Sequence, residues 1–248
     1  MPVTTGSVIF STMAPRYATP GTIPEAGEVW QPVGPTATLL TAHLVPVKAV
    51  RALVPAGIEI VSVVPGYTLA STLLSYYGPG STLEYHELVV GCAYVRHGGA
   101  HGVFVSHIYV DSADSVTGGR RMGLPKEMAS FAWNGAMPGE ACVTGPSGIL
   151  CRVRYGRPGL RVRVPITGGT VSVLDSGEVV HFKSRIEGKW GFAGASLDVP
   201  ANSPLAAVQL GQPFVSLVSG PMRAEMGLEF RAVGQVRRRS RPLLAPVG

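Results

Sequence analysis

Short apolar runs broken by Gly/Pro turns dominate the chain from Thr36 onward. TATLLTAHLV reads as a strand, and IEIVSVV, TLASTLLSYY, HELVVGCAYV and GVFVSHIYV follow it, separated by turns such as YYGPGS and RHGGAHG. The rhythm resumes after residue 140 with ACVTG, ILCRVRYG, GLRVRVPIT, GTVSVLD and EVVHFKS. The sharpest period of two is Leu160, Arg161, Val162, Arg163, Val164, which sorts into one greasy and one charged face. Two short helices interrupt the series. VPVKAVRALVP carries Val47, Val50, Leu53 and Val54 at helical spacing, and SPLAAVQLG begins with Ser203 as N-cap and Pro204 in the first position. A mainly β (α+β) fold follows from this pattern. The expected form is a large antiparallel closed β-barrel with a few short peripheral helices, since closure removes exposed strand edges and a barrel of this size can hold a ligand cavity.

Residues 1–34 read as an irregular leader with four prolines between Pro15 and Pro32, and residues 236–248 as a basic, flexible tail. The 248 residues otherwise fit a single domain. Hydrophobic residues make up 46% and charged residues 15%, which supplies a core and excludes a disordered chain. The net charge of +6 falls largely on Arg237, Arg238, Arg239 and Arg241, and no basic-aromatic stripe accompanies it, so nucleic acid is not an expected partner. Cys92, Cys142 and Cys151 have no CxxC spacing and suit buried thiols in a reducing compartment. Neither a signal peptide nor an apolar run of membrane-spanning length is evident, so a cytoplasmic protein without a membrane partner is expected.

The common nucleotide, metalloprotease and serine-hydrolase motifs are missing. His97, His101 and His107 lie close together in sequence but flank a Gly-rich turn, and no metal is expected there. GGRRMGLPKEMASFAW is more telling, because it sets Lys126 among Met122, Leu124, Met128, Phe131 and Trp133. Either that amine snorkels out to water or it is kept in an apolar site, where loss of its proton makes it a nucleophile. In an extended segment Leu124 and Met128 share the face of Lys126, while Glu127 points the other way.

The stretch GRRMGLPKEMA resembles the Gly-Arg…Gly-aromatic-Pro-Lys signature of the acetoacetate decarboxylase family. VKAVRALVPAGIEI, EYHEL and SPLAAVQLGQPFVS resemble further passages of that family in the same order, over residues 35 to 230. The resemblance implies that Lys126 forms a Schiff base, chemistry for which the family's namesake is a standard illustration. It also implies that Glu87 is the active-site glutamate that positions substrate or moves protons. Tyr85, Met122 and Leu124 flank these two as candidate substrate contacts. Thr36 stands where the family has a carboxylate-gripping arginine, Thr72 where it has a second acid, and Glu127 where it has a second lysine. Arg120 or Arg121 is left to supply the missing cation.

The expected function is a cofactor-independent lyase of secondary metabolism. It would act on a keto-acid or β-dicarbonyl substrate through Lys126, by decarboxylation, aldol chemistry or dehydration, as a homo-oligomer. The alternative is a cyclase that folds a polyketide-like substrate non-covalently in the barrel cavity. A non-catalytic ligand-binding barrel is the third reading.

Overall fold

Alternation in the strands is satisfied by burying both faces, one against a second sheet and one around a cavity. The computed structural model describes residues 14–236. Its main strands are β1 (Thr38–Pro46), β2 (Tyr67–Tyr77), β3 (Tyr85–His97) and β4 (Ala100–Val110). After the helix α2 (Ala113–Arg121) come β5 (Lys126–Met128), β6 (Ser130–Ala132), β7 (Gly139–Gly145) and β8 (Gly148–Tyr155). The series ends with β9 (Val162–Val173), β10 (Glu178–Phe192), β11 (Ala195–Asp198) and β12 (Val215–Gln235). Helix α1 (Val47–Val50) is a single turn, and Pro204–Val208 is a 3-10 turn capped by the Ser203 hydroxyl.

The fold is mainly β with few helices. The large sheet runs Glu59–Ile60, β3, β2, β1, β12, β10, β9, β4, β5, and β3 also pairs with β4. That hairpin turns on Gly98 and Gly99, both at positive φ, as a two-residue turn between right-twisted strands requires. The small sheet is β6, β7, β8, β11. On β2, Ala70 and Leu74 pack toward the small sheet, in the same core as Val143, Leu150 and Val153. Leu69, Ser71 and Leu73 of the same strand face a cavity. On β3, Leu88 and Val90 face the core, while Tyr85, Glu87 and Val89 face the cavity. Period two thus serves two apolar environments, as in strands buried on both sides.

Several expectations need correction. The ladders are not all antiparallel: β4 pairs in parallel with β9 and with β5. Helix α2 carries the chain back along β4, so β5 must run in the same direction. IEIVSVV contributes a two-residue strand, with the pairs Glu59↔Arg96 and Ile60↔Val95, and a lone bridge from Val64 to Tyr67 across the turn at Gly66. GLRVRVPIT and GTVSVLD are one strand, because Gly168 and Gly169 stay in the ladder opposite Ser184 and Lys183. The greasy side of LRVRV is not buried: Leu160 is 88% exposed, with Val162 and Val164 also exposed. The longest strand, β12, and helix α2 were not foreseen. The leader is also more than irregular coil, since Val33–Gly34 pairs with β12 and Trp30 is buried. The part of the leader before residue 14, and the tail beyond residue 236, lie outside the described residues. Among the described residues no helix is long and apolar enough to cross a membrane.

Candidate active site

Lys126 opens β5, where the parallel ladder sets it beside Ile108 on β4. Its aliphatic stem lies against helix α2 at Gly119. A Cβ built on that glycine would stand 2.5 Å from Lys126 Cδ and 2.7 Å from Cε. At Gly118 a Cβ would come within 2.9 Å of the Trp30 ring. The two glycines cost the helix about 1 kcal/mol each in intrinsic preference, and the close approach of Trp30 and Lys126 is what they permit. The helix compensates at its ends: the Ser112 hydroxyl accepts from the Ser115 N–H, Asp114 lies in the first turn, and Arg120 and Arg121 lie in the last.

The amine is 3% exposed as a residue and fully engaged. Nζ pairs with Glu87 Oε1 at 2.8 Å, donates to Ser115 Oγ at 2.9 Å and to the Tyr85 hydroxyl at 3.2 Å. Those partners match the three donors of an ammonium. The rings of Trp30 and Tyr85 lie 4.7 and 4.8 Å from Nζ. Glu87 lies inside β3 and is as buried as the lysine, and its Oε2 accepts from the Tyr77 hydroxyl at 2.9 Å. Cross-strand register explains this cluster. Tyr77 sits opposite Tyr85 and Ser75 opposite Glu87 on the β2–β3 ladder. Burial, and then the charge of Glu87, hold the Tyr77 and Tyr85 phenols well above their ordinary pKa. Both therefore remain protonated.

Lys126, Glu87 and Tyr85 form one wall of a cavity of about 400 Å³. Met122 and Leu124 also line it, as do Trp30, Leu40, Leu73, Ile166 and Phe182 from other elements. Five of the residues singled out in the sequence therefore meet here. Four others do not. Arg120 is exposed, and Arg121 is bonded to Glu25 at 2.7 Å and to the Pro24 carbonyl at 3.2 Å. Thr36 is half-buried beside Gly135, away from the cavity, and its hydroxyl has no hydrogen-bond partner. Thr72 points to the other face of β2, where its hydroxyl lies 2.6 Å from that of Thr41, which in turn meets His43 Nε2 at 2.7 Å.

Glu127 is exposed on the face opposite Lys126, as extended geometry requires, but Met128 is exposed too and does not share the apolar site. The carboxylate against the amine is Glu87, supplied from another strand. Trp30, Tyr77 and Ser115 went unnoticed in the sequence. The spacing Ser112, Ser115, Gly119 marks one helix face, and Tyr77 follows from a β2–β3 hairpin register; Trp30 carries no local signal. Among the described residues no group of three or more His, Cys, Asp or Glu side chains is placed to hold a metal ion. The three cysteines are free, with Cys92 and Cys151 buried.

Solved structures share this fold. Acetoacetate decarboxylase from Legionella pneumophila superposes with a TM-score of 0.64 at 17% identity, covering 91% of this chain and 94% of that one. The enduracididine biosynthesis enzyme MppR, in complex with pyruvate, gives 0.59 at 14% identity over 84% of this chain and 91% of its own. An acetoacetate decarboxylase-like enzyme from Sphingomonas wittichii gives 0.57 at 16% identity over 90% and 99%. No curated protein matches the sequence. A family model described as acetoacetate decarboxylase matches residues 13–162, the span that holds Trp30, Tyr77, Tyr85, Glu87, helix α2 and Lys126, and the chain belongs to that family.

Proposed function

We propose that the protein is a lyase-type enzyme that binds a carbonyl substrate covalently, as an imine on Lys126. The observation that carries this is a buried primary amine on the wall of an apolar cavity, in contact with a buried carboxylate. Glu87 accepts a proton from the Lys126 ammonium across their 2.8 Å contact and frees the nitrogen lone pair. The amine attacks the carbonyl carbon, the oxygen leaves as water, and a protonated imine replaces the ammonium beside Glu87. Electrons released at Cα, by loss of a proton, CO2 or an aldehyde, flow into the C=N bond and give an enamine. Glu87, a carboxylate again once its proton has left with the water, takes up the proton released from the substrate or, after loss of CO2, one from water, and delivers it to Cα; hydrolysis restores the lysine. Tyr77 holds the carboxylate, while Ser115 and Tyr85 orient the nitrogen. MppR, a relative in fold, is known in complex with pyruvate, a 2-oxo acid able to form such an imine. We read the cavity as the interior of a closed barrel, because the β3–β4 ladder rejoins the two arms of the large sheet.

Borohydride reduction in the presence of a carbonyl substrate is expected to add the reduced substrate's mass to the peptide containing Lys126. Lys126→Ala is expected to lose both adduct and activity. An unmodified Lys126 together with full activity of the variant would sink the proposal. One observation favours a second reading: all three donors of the ammonium are engaged, as in a purely structural ion pair. In that case the cavity folds a polyketide-like chain non-covalently, and Lys126→Met keeps turnover.

A further inference from the structure

Charge in the cavity wall is balanced before any substrate enters. Among the described lining residues Lys126 is the only cation and Glu87 the only anion, and they face each other at 2.8 Å. The remaining polar groups of the wall are neutral, such as Ser71, Thr167, Thr170 and Ser184. The nearby guanidinium groups are turned elsewhere. Arg185 follows Ser184 on β10 but points to the outer face, where it pairs with Glu187 at 2.7 Å. Arg121 is held by Glu25, and Arg120 is exposed. Thr36 and Thr72 lie outside the cavity.

A carboxylate brought into this space would add a second anion beside Glu87 and find no free cation. A buried charge without a partner of opposite sign is costly, because the hydration it loses is not replaced by an ion pair. Conversion of the ammonium to an iminium does not relieve this, since the new positive charge is again balanced by Glu87.

We infer that the substrate is a neutral carbonyl compound with an apolar chain, an alkyl or aryl ketone, β-hydroxyketone or 1,3-diketone, and that 2-oxo and 3-oxo carboxylates are excluded. The inference rests on the reading of this cavity as the substrate site. It narrows the chemistry to aldol-type cleavage or addition and dehydration, because a substrate without a carboxylate has no CO2 to lose. Leu40, Leu69, Leu73 and Phe182 receive the chain, and Lys126 meets the carbonyl.

Titration calorimetry of the full chain with heptan-2-one and 2-oxoheptanoate separates the two classes at matched length. The neutral ketone is expected to bind at least about tenfold more tightly, corresponding to about 1.4 kcal/mol. Equal or tighter binding of the carboxylate, or no binding of the ketone at millimolar concentration, overturns the inference. Borohydride trapping with the same two compounds keeps it distinct from the imine proposal. An adduct on Lys126 from the oxo acid but not the ketone refutes the substrate class and leaves the imine standing. Preferential ketone binding with no adduct refutes the imine and supports the substrate class.

Discussion

At the scale of single residues, the Lys126–Glu87 pair is held by mutual need. Each ion has left water, and their attraction offsets that cost only because Tyr77, Tyr85 and Ser115 complete the hydrogen bonds. Removing one partner strands the other. Lys126→Met and Glu87→Leu are each expected to lose about 3–5 kcal/mol of stability in urea unfolding, and the double variant to recover most of it. Additive losses in the double variant would show that the two groups do not depend on each other. Glu87→Gln keeps the shape and removes the proposed base; its kcat is expected to fall by about 10²–10⁴-fold, read in steady-state assays with a ketone substrate. Tyr77→Phe removes one bond to Glu87, and a stability loss of about 1 kcal/mol is expected in the same unfolding assay. The sequence made both ionic residues legible through motif resemblance. It left their contact hidden, because Lys126 and Glu87 lie on β5 and β3, joined only through β4.

At the scale of elements, helix α2 decides how Lys126 is presented. Its Gly-Gly pair looks like a turn in one dimension and weakens helical periodicity, which is why the helix is not legible there. In three dimensions the same glycines are its contact face. Gly119→Ala offers a better helix former but presses a methyl into the lysine stem, and crowding of a packed core costs about 1–3 kcal/mol. Borohydride trapping in this variant is expected to slow by tenfold or more while circular dichroism stays native. Unchanged trapping would mean that the lysine does not depend on the helix. The strands were easier to read. β1 to β4 are marked by apolar runs between Gly/Pro turns, whereas the exposed Leu160–Val164 run shows that alternation states only which residues share a face, not which face is buried.

At the scale of the whole molecule, segments far apart in sequence close the cavity: Trp30 from the leader, Met226 from β12 and Phe182 from β10. Burial also sets a dependence of stability on pH. His43, His107 and His181 all have their pKa lowered from 6.5, chiefly by desolvation. A lowered pKa means that the unfolded chain binds protons first, so stability is full above pH 6.5 and lost as pH falls below it. Calorimetric melting temperatures are expected to decline from pH 7.5 to 5.5. A flat or rising profile would contradict the buried, neutral state of these rings.

By itself the sequence determined the mainly β class, the runs that become β1 to β4, the family and the two ionic residues that meet at the cavity wall. Each of these is carried by a short apolar run between turns or by a contiguous motif, and such signals survive in one dimension. Only the tertiary structure decided which carboxylate meets Lys126, that Arg120 and Arg121 stay out of the cavity, that Thr72 turns away, and that Trp30 and Ser115 come in. Those outcomes depend on ladder register, on the crossover through α2 and on close approach at two glycines. They are relations between distant segments, fixed when the apolar faces pack together.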